Sequence, residues 1–190
     1  FFENLYKSPI KYMLHKLSQK HIKNNDRLVV FSFDHIGHTI NIDGLYEKDY
    51  LEFFIQWLSS NCPSCFNGTV LDIGANIGNH SLFFSNYFCK VISFEPHPKV
   101  FKVLTINTEN KKNIDIYNFG ASNKNIDHYM TENHLNMGGS KLTNNKDNSE
   151  LKVSLKKLDG FLYDCKNISL LKIDVEGHEL EALSGATKII

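Results

Sequence analysis

The chain of 190 residues is 42% hydrophobic and 22% charged, a composition typical of one globular domain with a buried core. Its 21 basic and 21 acidic side chains cancel, and Arg27 is the only arginine, so a broad nucleic-acid-binding face and arginine clamps on phosphate are disfavoured. No apolar run approaches the roughly 20 residues of a membrane span, and no signal-peptide pattern is visible, so we expect a cytoplasmic protein. The first residue is Phe1 rather than methionine, which is consistent with a fragment or a trimmed chain.

The N-terminal part is predicted to hold two helices with a pair of short strands between them. Apolar residues spaced i, i+3, i+4 and i+7 predict a helix over residues 8–23, with lysines on the rest of its surface. Such a helix usually packs on its own domain, and the alternative is that it lies on a membrane surface. Residues 28–33 and 39–42 are predicted as strands around a turn, and residues 47–58 as a helix.

Cysteine spacing suggests neither zinc nor disulfides. Cys62 and Cys65 have the C-x-x-C spacing of a redox or half-zinc motif, but a structural zinc site needs four ligands and no second close pair exists. We therefore expect reduced cysteines, as in an ordinary cytosolic protein.

From Val70 onward, short apolar strands alternate with helices. Continuous apolar strands of this kind are typical of a parallel sheet covered by helices on both faces. The sequence therefore predicts an α/β domain over residues 44–190, preceded by an N-terminal region over residues 1–43. The predicted strands are 70–73, 91–94, 114–119 and 170–173, and the predicted helices are 79–88, 98–107 and one from about 178.

An insertion rich in Asn, Lys and Ser, residues 123–152, interrupts this pattern. An insertion of this length in a compact domain is usually either mobile or functional. We expect a hairpin around residues 128–141 and a disordered tip around residues 144–149. Gly138, Gly139 and Ser140, with Asn136 nearby, are candidates for a loop on the substrate side.

The turn after the first core strand, VLDIGANIGN over residues 70–79, is the most informative segment. A glycine-rich turn between a strand and a helix marks a ligand crevice at the carboxyl end of a parallel sheet. Gly74 suits the tight turn, and Gly78 allows the helix to approach the strand closely. Glu95 follows 21 positions after Gly74, where an acidic residue can accept hydrogen bonds from a ribose diol.

Two cofactor classes compete for this turn, dinucleotides and S-adenosylmethionine. A dinucleotide site favours glycine at the positions of Asn76 and Asn79, because the backbone must approach a pyrophosphate. Asp72, just before the turn, would repel a pyrophosphate but suits a cationic ligand. S-adenosylmethionine carries a sulfonium and an ammonium group and no phosphate, so the local chemistry favours it. An NAD-dependent oxidoreductase is the alternative.

Four segments of the sequence resemble the FkbM-type methyltransferases: VLDIGANIG over residues 70–78, FEP over 94–96, GGS over 138–140 and LKIDVEGHE over 171–179. The resemblance covers residues 44–190. It implies a Rossmann-like class I methyltransferase fold, S-adenosylmethionine as cofactor, and O-methylation of a hydroxyl on a sugar or other small natural product, typically in bacteria. Together with the turn, it implies these cofactor-binding residues: Glu47, Asp72, Gly74, Ala75, Asn76, Gly78, Asn79, Glu95, Pro96 and Ala121.

A second polar cluster, KIDVEGH over residues 172–178, closes the fourth core strand. Alternation along the strand puts Lys172, Asp174 and Glu176 on one side. Methyl transfer needs an oxygen nucleophile held about 3 Å from the methyl carbon and is helped by a base, so Asp174, Glu176 and His178 are the candidate catalytic residues. Alternatively, Asp174 contacts the cofactor, and Glu176 and His178 cap the next helix. The two carboxylates could also bind Mg²⁺, but the sequence places no third carboxylate there, so no metal site is predicted.

Three other residues carry weaker expectations. Tyr46, next to Glu47, either closes over the cofactor or simply begins a helix. His80 is expected to be a surface histidine of the helix after the turn. His97 is expected either against the adenine or in solvent.

The number of strands leads to a further expectation. A complete fold of the resembled family has about seven strands, ordered 3-2-1-4-5-7-6, whereas this sequence ends after the fourth strand and its helix. We therefore expect a truncated domain, or one whose open edge beside the fourth strand is covered by the N-terminal region or by another chain. An uncovered edge would favour self-association.

The expected partner is a small carbohydrate acceptor and not a nucleic acid. A protein or RNA methyltransferase would need a larger charged surface or a recognition domain, and neither is visible in the sequence. A noncatalytic remnant of the fold is the remaining alternative.

Overall fold

A computed structural model describes residues 2–24, 28–131, 139–143, 151–162, 165 and 167–190. The helices are α1 Phe2–Asn24, α2 His35–Asp43, α3 Lys48–Asn61, the 3-10 helix η1 Pro63–Asn67, α4 Asn79–Ser85, α5 Pro98–Thr108, α6 Leu158–Phe161 and α7 Glu179–Ser184. The strands are β1 Thr69–Ile73, β2 Lys90–Phe94, β3 Ile114–Tyr117, β4 Gly120–Ala121, β5 Ile126–Thr131, β6 Lys141–Thr143, β7 Leu151–Lys156 and β8 Ile168–Ile173.

Four strands form a parallel sheet in the order β3-β2-β1-β8. In its centre, Val70 on β1 lies opposite Val91 on β2 and Leu170 on β8. This is the 3-2-1-4 part of the expected strand order, so the predicted α/β fold with a parallel core is confirmed. Because parallel strands end at one edge, the segments after β1, β2 and β8 meet there.

Helices cover both faces of this sheet because side chains alternate along each strand. Val70 and Val91 lie in one apolar cluster with residues of α3 and α4. Leu71 and Phe94 lie in a second cluster, on the opposite face, with residues of α6 and α7. Burial of each such side chain contributes about 1.5–3 kcal/mol, so the strands are fixed from both sides before any ligand is present.

The prediction of two strands over residues 28–33 and 39–42 is wrong. Residues 35–43 form α2, because the Asp34 carboxylate accepts a hydrogen bond from the Ile36 amide at 3.0 Å and Gly44 closes the helix at φ +83°. The β-branched residues around Thr39 favour a strand by propensity. The helix forms instead because Asp34 and Gly44 cap its ends and because it buries Ile40. Residues 28–33 form no strand.

Strands inside the insertion and on either side of it form a second sheet in the order β4-β7-β5-β6, which was not predicted from the sequence. The expected hairpin is present as antiparallel β5 and β6, with Tyr129 opposite Thr143 and Thr131 opposite Lys141. The expected disordered tip, and Asn136 and Gly138, lie outside the described residues.

The described part of the N-terminal segment adds no strand to the outer edge of β8. This segment packs on the other side of the turn, where Val30 and Ile36 contact a cluster of Ile40, Ile77 and Val100. All six residues of β8 are partly exposed, and no strand that the structure describes pairs with its outer edge. The proposed division at residue 43 stays a prediction.

Helix α1 contacts α2 through His21, near its C-terminus. His21 Nε2 lies 2.7 Å from the Ile42 carbonyl of α2, whereas Ile10, Met13 and Leu14 are exposed. Of the four residues in the predicted apolar stripe, these three are exposed and Leu17 is partly buried, so most of the stripe does not pack on the described part of the domain. None of the helices in the described part of the chain is both long and apolar enough to cross a bilayer.

Candidate functional site

A cleft opens at the carboxyl ends of β1, β2 and β8 and encloses about 980 Å³ of space that is continuous with solvent. Three parts of the chain form its walls: the glycine turn with the strand ends, the N-terminal segment, and one face of the second sheet. Its lining residues are His35, Ile36, Tyr46, Gly74, Asn76, Glu95, Pro96, His97, Val100, Gly120, Ala121, Met130, Ser140, Leu142, Leu155, Asp174, Val175, Glu176 and His178.

The glycine turn is shaped by close backbone packing. Gly74 has φ +78°, and a Cβ at this position would lie 1.9 Å from the carbonyl oxygen of Asp174. The Gly74 and Ala75 amides both donate to the Phe94 carbonyl at 3.0 Å, which ties the turn to β2. The turn is therefore locked between β2 and the segment after β8, and only glycine fits at its first position.

Glu95 is the most strongly perturbed acid in the cleft. Its two carboxylate oxygens accept hydrogen bonds from the backbone amides of Asn76 at 3.0 Å and His97 at 2.8 Å. Burial raises the pKa of the carboxyl from 4.5 to about 7, although these two hydrogen bonds and the Lys172 charge act in the opposite direction. Glu95 therefore has a fixed position and titrates near neutral pH.

Asn76 adds an unused acceptor to the same wall. Its Oδ1 atom is buried and has no hydrogen-bond donor among the residues that the structure describes. Its backbone has φ +51°, a left-handed conformation that asparagine tolerates better than most residues. A buried acceptor without a donor costs free energy, so a ligand that donates a hydrogen bond here is stabilised.

Asp72 does not line the cleft, contrary to the expectation that it faces a cationic ligand. It is fully buried, and Lys172 Nζ lies 3.1 Å from its Oδ1 atom. Its other oxygen accepts a hydrogen bond of 2.6 Å from Ser81, whose hydroxyl also lies 2.8 Å from that of Ser93. Burial opposes ionisation, but Lys172, His80 and Ser81 together hold the pKa of Asp72 below its usual value. Its negative charge is balanced inside the protein.

The structure brings all three candidate catalytic residues to the cleft. The side chain of Asp174 is largely exposed there and that of Glu176 is partly exposed, and Glu176 has the left-handed φ of +51°. His178 is half-buried, with Nε2 3.0 Å from the Ser122 hydroxyl and Nδ1 3.6 Å from a carboxylate oxygen of Glu181. Burial lowers the pKa of His178, which favours the neutral form of its ring.

No metal site is apparent in the described part of the chain. No group of three or more His, Cys, Asp or Glu side chains in those residues could hold a metal ion. All four cysteines are free thiols, and burial raises the pKa of Cys65.

Several predicted cofactor residues hold the site without lining it. The Asn79 side chain accepts from the Tyr46 amide at 3.0 Å and donates to the Tyr46 carbonyl at 3.1 Å. Glu47 lies 3.0 Å from His80 Nε2, and His80 is largely buried rather than a surface histidine. These contacts attach the N-terminal segment to the turn and place the Tyr46 ring in the cleft.

The other predicted residues are divided between the cleft and the core. Pro96 and Ala121 line the cleft, whereas Ala75 and Gly78 are buried behind it. His97 lines the cleft and is almost fully buried, and its Nδ1 accepts from the Lys99 amide at the start of α5. Of the two alternatives for His97, the solvent position is therefore wrong.

The walls that α2 and the second sheet contribute to the cleft were not predicted from the sequence. Met130, Leu142 and Leu155 present one apolar face of that sheet to the cleft, and His35 and Ile36 begin α2 on the other side. The alternation of apolar and polar residues over residues 151–156 was a signal for a two-faced strand. The capping residue Asp34 was the signal for α2.

Comparison with known proteins agrees with this architecture. A family model described as the methyltransferase FkbM domain matches residues 72–190. The hexuronic acid methyltransferase AglP of Haloferax volcanii is 31% identical over 124 residues, which are 63% of this chain and 50% of that protein. Methyltransferase 1 of Beauveria bassiana is 26% identical over 160 residues, 70% of this chain and 64% of that protein. The chain thus spans about half to two thirds of the length of these curated relatives.

A solved structure, the methyltransferase FkbM from Methylobacillus flagellatus, aligns with a TM-score of 0.44 and 20% identity over 64% of this chain and 29% of that one. The family match covers most of the chain, including the glycine turn, Glu95 and the segment after β8. The chain belongs to the FkbM methyltransferase family.

Proposed function

We propose that this protein transfers the methyl group of S-adenosylmethionine to a hydroxyl of a small carbohydrate acceptor. The observation that carries the proposal is the placement of Glu95, whose carboxylate is held by two backbone amides at the edge of the cleft. A carboxylate in this position after the second strand suits a ribose diol. Membership of a methyltransferase family supports the reaction class.

The residues of the cleft fit the proposed cofactor. Glu95 would accept hydrogen bonds from the ribose hydroxyls, and the buried Asn76 Oδ1 would accept one from a further donor of the ligand. Pro96, Ala121 and Leu155 offer an apolar slot for the adenine ring. When bound, the cofactor would supply a methyl group activated by the adjacent sulfonium.

We propose Asp174 as the base that removes the proton of the acceptor hydroxyl. Its carboxylate is 66% exposed, so it is accessible to an acceptor, and its backbone touches the glycine turn. Both ring nitrogens of His178, in contrast, lie within reach of protein groups, Ser122 and Glu181. His178 therefore has a positioning role in this proposal. Glu176 borders the acceptor side of the cleft near Lys141, with 3.9 Å between their charged atoms.

A carbohydrate acceptor is proposed from two lines of support. The relative from Haloferax volcanii is a hexuronic acid methyltransferase. Polar groups that line the cleft, among them the exposed Asp174 and Glu176, suit an acceptor with several hydroxyls.

Calorimetry separates the proposed cofactor from its rival. We expect S-adenosylmethionine and its demethylated product S-adenosylhomocysteine to bind to the wild type, and NAD to show no heat of binding. Glu95→Ala should weaken both by about tenfold or more, because it removes two hydrogen bonds to the ribose. Binding that is unaffected by this change, or tight binding of NAD, would contradict the proposal.

The base is tested by kinetics with a panel of sugars and labelled cofactor. Asp174→Asn should lower kcat by about 10²-fold or more with little change in cofactor affinity, since general-base catalysis contributes about 10²–10⁴-fold. His178→Gln should have a smaller effect. A larger decrease in kcat for His178→Gln than for Asp174→Asn would identify His178 as the base.

A further inference from the structure

A lysine on β8 links the two chemically important segments of the site. Asp72 on β1 and Lys172 on β8 are direct neighbours in the parallel pairing. The Lys172 ammonium donates a hydrogen bond of 2.8 Å to the Gly74 carbonyl and lies 3.1 Å from Asp72 Oδ1 and 4.0 Å from Asp174 Oδ2. One side chain thus touches the glycine turn, a buried acid and the proposed base.

The charge of this lysine has to be compensated inside the protein. Its side chain is only 18% exposed, and Asp72 is fully buried. A buried pair of this kind is costly to break from one side, because the remaining ion is left without a partner. The Ser81 hydroxyl donates a hydrogen bond to the other carboxylate oxygen of Asp72. Both oxygens of this carboxylate therefore interact with groups of the protein.

This arrangement has a consequence for a cationic ligand in the cleft. An unpaired ammonium close to the turn would repel the sulfonium, and an unpaired Asp72 would attract it. As a pair, Lys172 and Asp72 present little net charge to the ligand. The Lys172 ammonium at the same time donates a hydrogen bond to the Gly74 carbonyl.

We propose that Lys172 is a positioning residue that fixes the glycine turn, and that Asp72 is its counter-ion rather than a direct ligand of the cofactor. This inference rests on the proposed function, because it concerns how the site tolerates S-adenosylmethionine. It predicts that the pair, and not Asp72 alone, sets the preference between the sulfonium cofactor and its uncharged thioether product.

The test uses Asp72→Asn, Lys172→Met and the double variant, with both ligands titrated by calorimetry. Asp72→Asn should lower affinity for S-adenosylmethionine about tenfold more than for S-adenosylhomocysteine, because it leaves a cation beside the sulfonium. Lys172→Met should shift this ratio in the opposite direction. The double variant should return the ratio to near the wild-type value, although both ligands bind more weakly because Gly74 has lost its donor.

A matched control is provided by Lys90 and Asp115, a pair at 2.6 Å whose side chains are 43% and 42% exposed. Lys90→Met and Asp115→Asn should leave the ligand ratio unchanged, because solvent screens this pair. An unchanged ratio in Asp72→Asn, with S-adenosylhomocysteine still bound, would overturn the role of counter-ion while leaving the proposed function intact.

Thermal unfolding provides a readout that needs no ligand. The double variant should unfold at a higher temperature than expected from adding the two single effects, because each single change leaves one buried ion unpaired. Additive effects would overturn the pairing itself. A wild type that binds neither ligand would refute the proposed function and, with it, the electrostatic role, but not the coupling measured by unfolding.

Discussion

Glu95 should make cofactor binding depend on pH near neutrality. Its carboxyl has a pKa of about 7 in the folded protein, against 4.5 for an exposed glutamate. A ribose diol donates hydrogen bonds to the ionised form, and the ionised fraction rises from about one tenth at pH 6 to about nine tenths at pH 8. Affinity for S-adenosylhomocysteine should therefore increase by about tenfold over this interval.

The same titration should act on stability with the opposite sign. The pKa of Glu95 is higher in the folded protein than in the unfolded chain, so the unfolded chain loses this proton at lower pH. The free energy of unfolding therefore falls as pH rises from 4.5 to about 7. The full difference corresponds to about 3 kcal/mol. Above about pH 8, where the folded protein has also lost this proton, the contribution no longer changes.

The assay is calorimetry at pH 6, 7 and 8, with Glu95→Gln as the matched variant. Glutamine keeps the shape but cannot ionise, so its affinity should be low and independent of pH, and its stability should not fall between pH 5 and 7. A wild-type affinity that is flat from pH 6 to 8 would refute the reasoning. A slope that persists in Glu95→Gln would assign the titration to another group.

Three further changes test the turn and the core. Gly74→Ala should destabilise the fold by more than about 2 kcal/mol in thermal unfolding, because the added Cβ would collide with the Asp174 carbonyl. Gly177→Ala is the matched control, since Gly177 also has a positive φ of +92° but no atom lies within 4 Å of a Cβ added there. This control should lower the free energy of unfolding by only about 1 kcal/mol. Asn76→Gly should keep the stability within about 1 kcal/mol, because glycine accepts φ +51°, but should weaken calorimetric cofactor binding about fivefold by removing the buried acceptor. Leu71→Ala, at a fully buried position, should cost about 2–5 kcal/mol in denaturant unfolding.

Each of these changes has a clear contrary result. Equal losses for the two glycine variants would mean that backbone strain, and not the collision, decides the first position of the turn. Unchanged binding in Asn76→Gly would remove the side chain from the site, and a loss below about 1 kcal/mol for Leu71→Ala would contradict its place in the core.

The parallel core could be predicted from sequence because its signal is local. The apolar run of β1, the glycine turn and Glu95 lie within 30 residues of each other, and each has a recognisable chemical requirement. The order 3-2-1-4 of the first four strands followed from the family resemblance, and this part of the expected order is confirmed.

The partner of Asp72 could not be predicted, because the pairing depends on register. Lys172 is 100 positions away, and it meets Asp72 only because β1 and β8 align those two residues. The sequence around Asp72 suggested that its carboxylate faces a cationic ligand. In the structure, the cation beside this carboxylate is the Lys172 ammonium. A charge pattern along the chain does not show which charges are already compensated.

The N-terminal error has a different cause. Thr39, Ile40 and Ile42 are β-branched and favour a strand by propensity. Tertiary packing overrides this weak preference, because the helix buries Ile40 and brings Gly37 so close to the Phe31 carbonyl that no Cβ fits. The caps at Asp34 and Gly44 were the better guides.

The second sheet gives the cleft a modular construction. Glu95 and the glycine turn belong to the central sheet, whereas Met130, Leu142 and Leu155 come from an insertion between its third and fourth strands. Substitutions in that insertion can therefore reshape one wall while leaving the turn and Glu95 in place. On the proposed function, substitutions that change acceptor preference are expected in β5 and β6, at small cost to the core. An exchange of residues 126–143 between relatives tests this, because it leaves Leu155 of the proposed adenine slot in place.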